Sequence, residues 1–167
     1  MKKFGKLLSQ PLRKPVKSCM QSNTAKNKVF LDSSMLIAAV LSSSGGSFYI
    51  LSQWRDKFEF QINQFVFDEV NEVLSRKFYN NKEFKSRFMI LLGLSKIIIL
   101  NNSVKQKVRG LLELISKEDA PILASAIEHS SFLITLDNDF FTQKVLQFAQ
   151  LHKLTILKPK DFILQNR

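Results

Sequence analysis

Val29-Phe30-Leu31-Asp32-Ser33-Ser34-Met35-Leu36-Ile37 is the stretch on which the fold turns. The apolar run that closes residues 28–31 reads as a short buried strand. It passes directly into Asp32-Ser33-Ser34 and then into a helical stretch, residues 35–41. A strand that hands over to a helix without an intervening loop is the opening of a βα unit, and it leaves a carboxylate at the strand's end.

Working outward, the same alternation repeats. Ser42-Ser43-Ser44-Gly45-Gly46-Ser47 reads as a turn with a fresh helix start, followed by a helix over 48–57 and a strand over 58–62. Apolar residues at 66, 70, 73, 74 and 78 predict a helix over 65–78. A further helix is expected over 82–92, ended by Gly93. The β-branched run 96–100 reads as a strand, and 104–115 and 118–129 as helices. Residues 132–136 form the next expected strand, followed by Asp137-Asn138-Asp139 and a helix to about residue 151. A last strand, 154–157, is closed by Lys158-Pro159. Strands alternating with helices predict an α/β domain, three layers α/β/α with a mainly parallel central sheet. Ligands of such sheets collect at the carboxyl ends of the strands, which singles out Asp32 and Asp137.

Each acid also has a plain structural reading. Asp32, taken alone, fits a helix N-cap better than a ligand. Glu69 falls close to the buried stripe of its helix, whereas Asp68 falls on the polar side, and Glu72 can pair with Arg76 four residues on. An inward carboxylate is costly unless it is paired or bound to metal. Asp119 aligns with Ile122, Leu123, Ala126 and Ile127 on an apolar face, yet Ser116-Lys117-Glu118-Asp119 also fits a capping box. Asp137 and Asp139 around Asn138 suit a turn on their own. The conjunction carries the argument: oxygen-only donors without His or Cys suit hard cations such as Mg²⁺ or Mn²⁺. Without a cation their proximity would cost repulsion and desolvation.

Taken in order, these segments resemble the PIN family over residues 28–160. Val29 to Ile37 is similar to its opening strand and helix, and Phe67-Asp68-Glu69-Val70-Asn71-Glu72 to its glutamate-bearing segment. Lys117-Glu118-Asp119-Ala120-Pro121-Ile122-Leu123-Ala124-Ser125-Ala126 is the most specific match, and Leu133-Ile134-Thr135-Leu136-Asp137-Asn138-Asp139-Phe140 is similar to the closing Thr-x-Asp-x-Asp-Phe pattern. The resemblance implies a metal-dependent nuclease acting on single-stranded RNA, with in-line attack by water and products bearing 5′-phosphate and 3′-hydroxyl. Asp32, Glu69, Asp119 and Asp137 would be its catalytic acids. Asp32, Asp119, Asp137 and Asp139 would hold Mg²⁺ or Mn²⁺, with Ser34 and Thr135 orienting water or a ligand. Ser34 stands where the family often has Asn or Thr. Many relatives are toxins held by an antitoxin-type inhibitor protein, and many are homodimers; the resemblance implies such partners here.

The 167 residues suit one domain, expected at 28–167, behind a basic arm at 1–27. The net charge of +11 belongs mainly to the start: residues 1–28 hold eight cations, Lys2, Lys3, Arg13 and Lys14 among them, and no acid. Such an arm can attract phosphate backbones without reading sequence, or simply be solvated. It has no apolar central region and so is not a secretory signal, although an acid-free start with Lys and Ser also resembles an organelle transit peptide. The single cysteine, Cys19, points to a reducing compartment and so to the cytoplasm. The apolar runs are too short to span a bilayer, and no membrane association is expected. His129, at a helix end, and His152, in a polar stretch, are poor catalysts, and Trp54 reads as packing. Two rival readings remain: a catalytically silent PIN-like scaffold binding RNA or a partner, and a receiver-like phosphoacceptor domain. The receiver needs an acidic pair after the first strand, where Ser33 follows Asp32, and an acceptor Asp where Asn101 stands.

Overall fold

The computed structural model describes residues 26–79 and 82–167. Residues 1–25 of the proposed arm, with Lys2, Lys3, Arg13, Lys14 and Cys19, lie outside the described residues, and its last residue, Asn27, already pairs with Phe58 in the sheet. Five strands, β1 (Asn27–Leu31), β2 (Phe58–Asn63), β3 (Ile98–Leu100), β4 (Phe132–Ile134) and β5 (Thr155–Leu157), form one sheet in the order β3-β2-β1-β4-β5. Every pairing is parallel, with Val29 opposite both Phe60 and Phe132. Val29, Phe30 and Leu31 are all fully buried, which a strand achieves only when helices cover both faces of its sheet.

Those helices are α1 (Ser33–Leu41), α2 (Gly46–Gln53), α3 (Gln64–Lys77), α4 (Glu83–Leu94), α5 (Lys105–Arg109), α6 (Ala120–His129), α7 (Gln143–Leu151) and α8 (Pro159–Asn166). α1 packs on α2, α3 and α4, α6 lies against β1, and α7 and α8 pack on β5. The expected three-layer α/β architecture is present. A receiver-like sheet runs 2-1-3-4-5; here β1 lies between β2 and β4, which removes that rival.

The differences from expectation have local causes. The helix expected to stop at Gly93 continues to Leu94, and Gly93 has neither the positive φ of a helix stop nor a neighbour that a Cβ would meet. The left-handed residue that ends the helix is Lys96 (φ 54°), with the Ile97 N–H donating back to the Leu92 carbonyl at 3.1 Å. The helix expected over 104–115 is helical only from Lys105 to Arg109. Beyond Gly110 the chain continues in turns that still bury Leu111 and Ile115, so the apolar spacing was real but the helix was not continuous. After Asp137 a short 3₁₀ segment, Asn138–Phe141, precedes α7. α8 was not foreseen. Pro159 starts it, and its Phe162 is fully buried with ring centroids 5.6, 5.0 and 5.5 Å from Trp54, Phe58 and Phe132. Trp54 is thus a packing residue. Among the described residues no single helix is long and apolar enough to cross a membrane.

Candidate active site

The chain runs outward from β1 to β3, then returns to the other side of β1 for β4 and β5. The two halves therefore part at the carboxyl ends of β1 and β4, where an open parallel sheet leaves a crevice. Asp32 ends β1, and Thr135-Leu136-Asp137 follows β4. The Asp32 N–H donates to the Ile134 carbonyl at 3.1 Å and ties the two ends together.

Asp32 begins α1 without capping it through its side chain. Its carboxylate is turned into the crevice instead and is almost wholly buried. The Thr135 hydroxyl donates to Asp32 Oδ2 at 2.7 Å, the Ser34 hydroxyl donates to the same oxygen, and Ser33 donates to Oδ1 at 3.4 Å. Ser34 in turn accepts from the Leu136 N–H at 3.0 Å, and Thr135 from the Asp137 N–H at 2.9 Å. The two hydroxyls thus fix Asp32 and the loop after β4 with respect to each other. Burial pushes the Asp32 carboxyl above the usual carboxylate range; the hydroxyls of Ser34 and Thr135 and the Ser33 backbone pull the other way, and the Asp137 charge adds to the rise.

Glu69 is half-buried on α3 while Asp68 is exposed and takes a hydrogen bond from Gln64 at 2.8 Å. Glu72 pairs with Arg76 at 3.7 Å, on the surface. Glu69 Oε2 is buried and has no hydrogen-bond partner. Burial raises the Glu69 carboxyl, the neighbouring Ser33 hydroxyl, whose one proton serves either Asp32 or Glu69, opposes, and the charges of Asp32, Asp119 and Glu72 raise it further. Asp119 stands at the N-cap of α6 but makes no side-chain cap. The box with Ser116 closes one turn earlier: Ser116 Oγ donates to Asp119 Oδ2 at 2.7 Å and accepts from the Asp119 N–H at 3.1 Å. Burial again leads in raising Asp119, opposed by Ser116 and reinforced by Asp137, Asp32 and Asp139. Asp137 and Asp139 are exposed, Asp137 Oδ1 accepting from the Asp139 N–H at 2.9 Å.

Five acids thus share one electrostatic neighbourhood. They do not converge on one point: among the described residues no three His, Cys, Asp or Glu side chains form a ready metal-holding group. The reason is local, since Asp32, Asp119 and Asp137 each turn towards a hydroxyl or N–H beside them. The residues nevertheless fit a hard cation. A buried carboxylate oxygen without a donor among the described residues, on a glutamate raised first by burial and then by the charges of Asp32, Asp119 and Glu72, is an acceptor whose missing partner is positive charge.

Two polar residues in this region escaped the sequence reading. Ser33 lies between Asp32 and Glu69. Asn63, fully buried at the end of β2, caps α3 by accepting from the Val66 N–H at 3.0 Å. It also donates to the Pro121 carbonyl at 3.2 Å and Ser125 Oγ at 2.8 Å, both on α6. It therefore clamps α3, which carries Glu69, to α6, which Asp119 precedes, and its signal was available, as a polar residue directly after a predicted strand. The histidines stay apart: His129 faces Glu128 at 3.6 Å and His152 Nδ1 lies 2.9 Å from the Phe148 carbonyl.

Among the solved structures similar to this chain are two. One is described as the crystal structure of VapBC2 from Rickettsia felis bound to a DNA fragment from their promoter; it has a TM-score of 0.56 and 19% identity, over 78% of this chain and 98% of that one. The other is PAE2754 from Pyrobaculum aerophilum, with a TM-score of 0.58 and 14% identity over 83% and 94%. No curated protein matches the sequence. The family model of the PIN domain matches residues 29–145, from within β1 through all the clustered acids to the start of α7. The chain belongs to the PIN domain family.

Proposed function

We propose that the protein is a metal-dependent endoribonuclease that cuts single-stranded RNA at the crevice between β1 and β4. The observation that carries this reading is the unpartnered, buried Oε2 of Glu69 beside the buried Asp32, in a field of five acids. An evolved core does not accumulate like charges without a cation to offset them. Asp32, Glu69, Asp119 and Asp137 would hold Mg²⁺ or Mn²⁺, with Asp139 at the outer edge. When bound, the cation would supply positive charge against the phosphate and lower the pKa of water. Ser34 and Thr135 keep Asp32 in one orientation through their hydrogen bonds, so that it need not reorganise as charge develops. Glu69 keeps one oxygen free of protein donors to take a cation or a water proton.

The family membership and the resemblance support a wider setting in which the chain is the toxin of a toxin–antitoxin pair, checked by an inhibitor protein, and self-associates as a homodimer in the cytoplasm. The test of the core reading is cleavage of RNA by the full chain with Mg²⁺ or Mn²⁺, beside EDTA and an Asp32→Asn variant whose fold is verified by circular dichroism. Loss of cleavage in both controls supports the reading. A wild type that neither cuts diverse RNAs nor binds Mn²⁺ overturns it in favour of a silent scaffold.

A further inference from the structure

Beside Leu136, and so next to Asp137, opens a groove of about 630 Å³ between the start of α2 and α8. Its lining includes Lys158, Lys160 and Arg167 and no acid. α2 begins in this groove with Gly45 as its N-cap, with no side-chain cap and no acidic residue in its first turn. The first N–H groups of a helix have no partner within it, and the positive end of its dipole adds to them, so an uncapped start favours an anion. α8 also starts here, but Asp161 in its first turn already offsets that end. The second, independent feature is Ser47. It is 6% exposed and lines the groove, and among the described residues its hydroxyl makes no hydrogen bond. Its oxygen is not fully enclosed and so is open to the groove, where it can donate to a bound acceptor.

We propose that this groove is a phosphate subsite that seats a backbone phosphate of the RNA strand next to the one that is cut. The first-turn amides of α2 and the Ser47 hydroxyl donate to its oxygens, and Lys158, Lys160 and Arg167 supply charge. Lys158 is already oriented by Asn138 Oδ1 at 3.0 Å and by the Phe141 ring, which ties the subsite to the loop bearing Asp137. Identifying the ligand as RNA rests on the ribonuclease reading, whereas the anion site itself does not.

Gly45→Asp is the discriminating variant. Gly45 has φ −78°, and a Cβ there meets only ordinary contacts, with Ser42 Oγ at 3.4 Å. An aspartate would cap α2 and hold the melting temperature or raise it, while placing a negative charge where the phosphate sits. Binding of a short fluorescent single-stranded RNA is measured in EDTA, alongside inorganic phosphate, for wild type, Gly45→Asp, Ser47→Ala and Lys160→Ala; cleavage kinetics follow with metal. The expected result is at least tenfold weaker RNA binding for Gly45→Asp, with the loss in cleavage falling on KM. Lys160→Ala should flatten the slope of log K against log salt by about 0.7. Cleavage by wild type with RNA affinity unchanged in Gly45→Asp overturns the subsite and leaves the nuclease reading standing. RNA binding that Gly45→Asp weakens, in a wild type that cuts nothing, keeps the subsite and overturns the nuclease. Phosphate binding without RNA binding overturns the assignment to RNA.

Discussion

Thr135→Val tests whether Asp32 is held as the geometry says. Valine keeps the shape of a fully buried side chain but removes a hydroxyl that donates to Asp32 Oδ2 at 2.7 Å and accepts from the Asp137 N–H at 2.9 Å. A hydrogen bond to a charged group contributes about 1.5–3 kcal/mol and a neutral one about 0.5–1.5. Because Ser34 still serves Asp32, the combined loss should be about 2–4 kcal/mol with the carboxylate ionised. For a domain of this size that is a fall in Tm of about 4–16 °C. The loss should also depend on pH. Thr135 lowers the Asp32 pKa, so its removal raises that pKa further, and the variant is penalised more wherever Asp32 must be charged. Urea unfolding in EDTA, followed by the fluorescence of the sole tryptophan, Trp54, and by circular dichroism, should show a larger deficit at pH 8 than at pH 5. Thr135→Ser, which keeps the hydroxyl, should recover much of it. A deficit below about 0.5 kcal/mol at both pH values would refute the reasoning.

The same electrostatics has a sign that metal should reverse. Asp32, Glu69 and Asp119 all lie above the usual carboxylate range through burial first, so the folded chain keeps protons that the unfolded chain sheds. Their contribution is full below the ordinary carboxylate pKa and is lost as pH rises through the raised values. The Tm gained on adding Mn²⁺, read by calorimetry, should therefore be larger at pH 8 than at pH 5; an equal gain at both would contradict this. Glu69→Gln should abolish RNA cleavage yet raise metal-free thermal stability at pH 8, because it removes a half-buried charge that has neighbours of the same sign; a drop in stability would count against that account. Phe162→Ala should cost about 3–5 kcal/mol in urea unfolding, since its ring fills the junction of α8 with Trp54, Phe58 and Phe132; a cost under 1 kcal/mol would mean that α8 is an optional appendage.

The alternation of strand and helix was legible because the strands read as short apolar runs or, at 58–62, as alternation, and the helices as 3.6-residue stripes. The choice of Glu69 over Asp68 followed from the same stripe, and burial agrees with it. What periodicity could not show was continuity. Residues 104–115 keep their apolar spacing through Gly110, yet tertiary anchoring of Leu111 and Ile115 suits turns as well as a helix. α8 was hidden because Lys158-Pro159 reads equally as a stop and as a helix start. At the candidate site the acids were visible as residue types at strand ends and inward faces. Their hydrogen bonds were not, since Thr135 meets Asp32 across 103 residues, and the donor that each carboxylate selects depends on rotamers no pattern encodes. Ser33 was missed for that reason, whereas Asn63, a polar residue just past a predicted strand, was open to reading.

The position of β1 at the middle of the sheet has a consequence for when the site can exist during synthesis. β1, β2 and β3 are complete by residue 100, but one edge of β1 stays open until residues 132–134 arrive as β4. Until then Asp32 has neither the Ile134 carbonyl for its N–H nor the Thr135 hydroxyl for its side chain. Closing so long a loop is slow, but its entropic cost grows only with the logarithm of its length. A growing chain therefore carries Asp32, Glu69 and Asp119 as a broken set for most of its emergence, and the crevice closes only near the end. Incomplete chains, whether stalled on the ribosome or clipped before β4, would lack the assembled crevice.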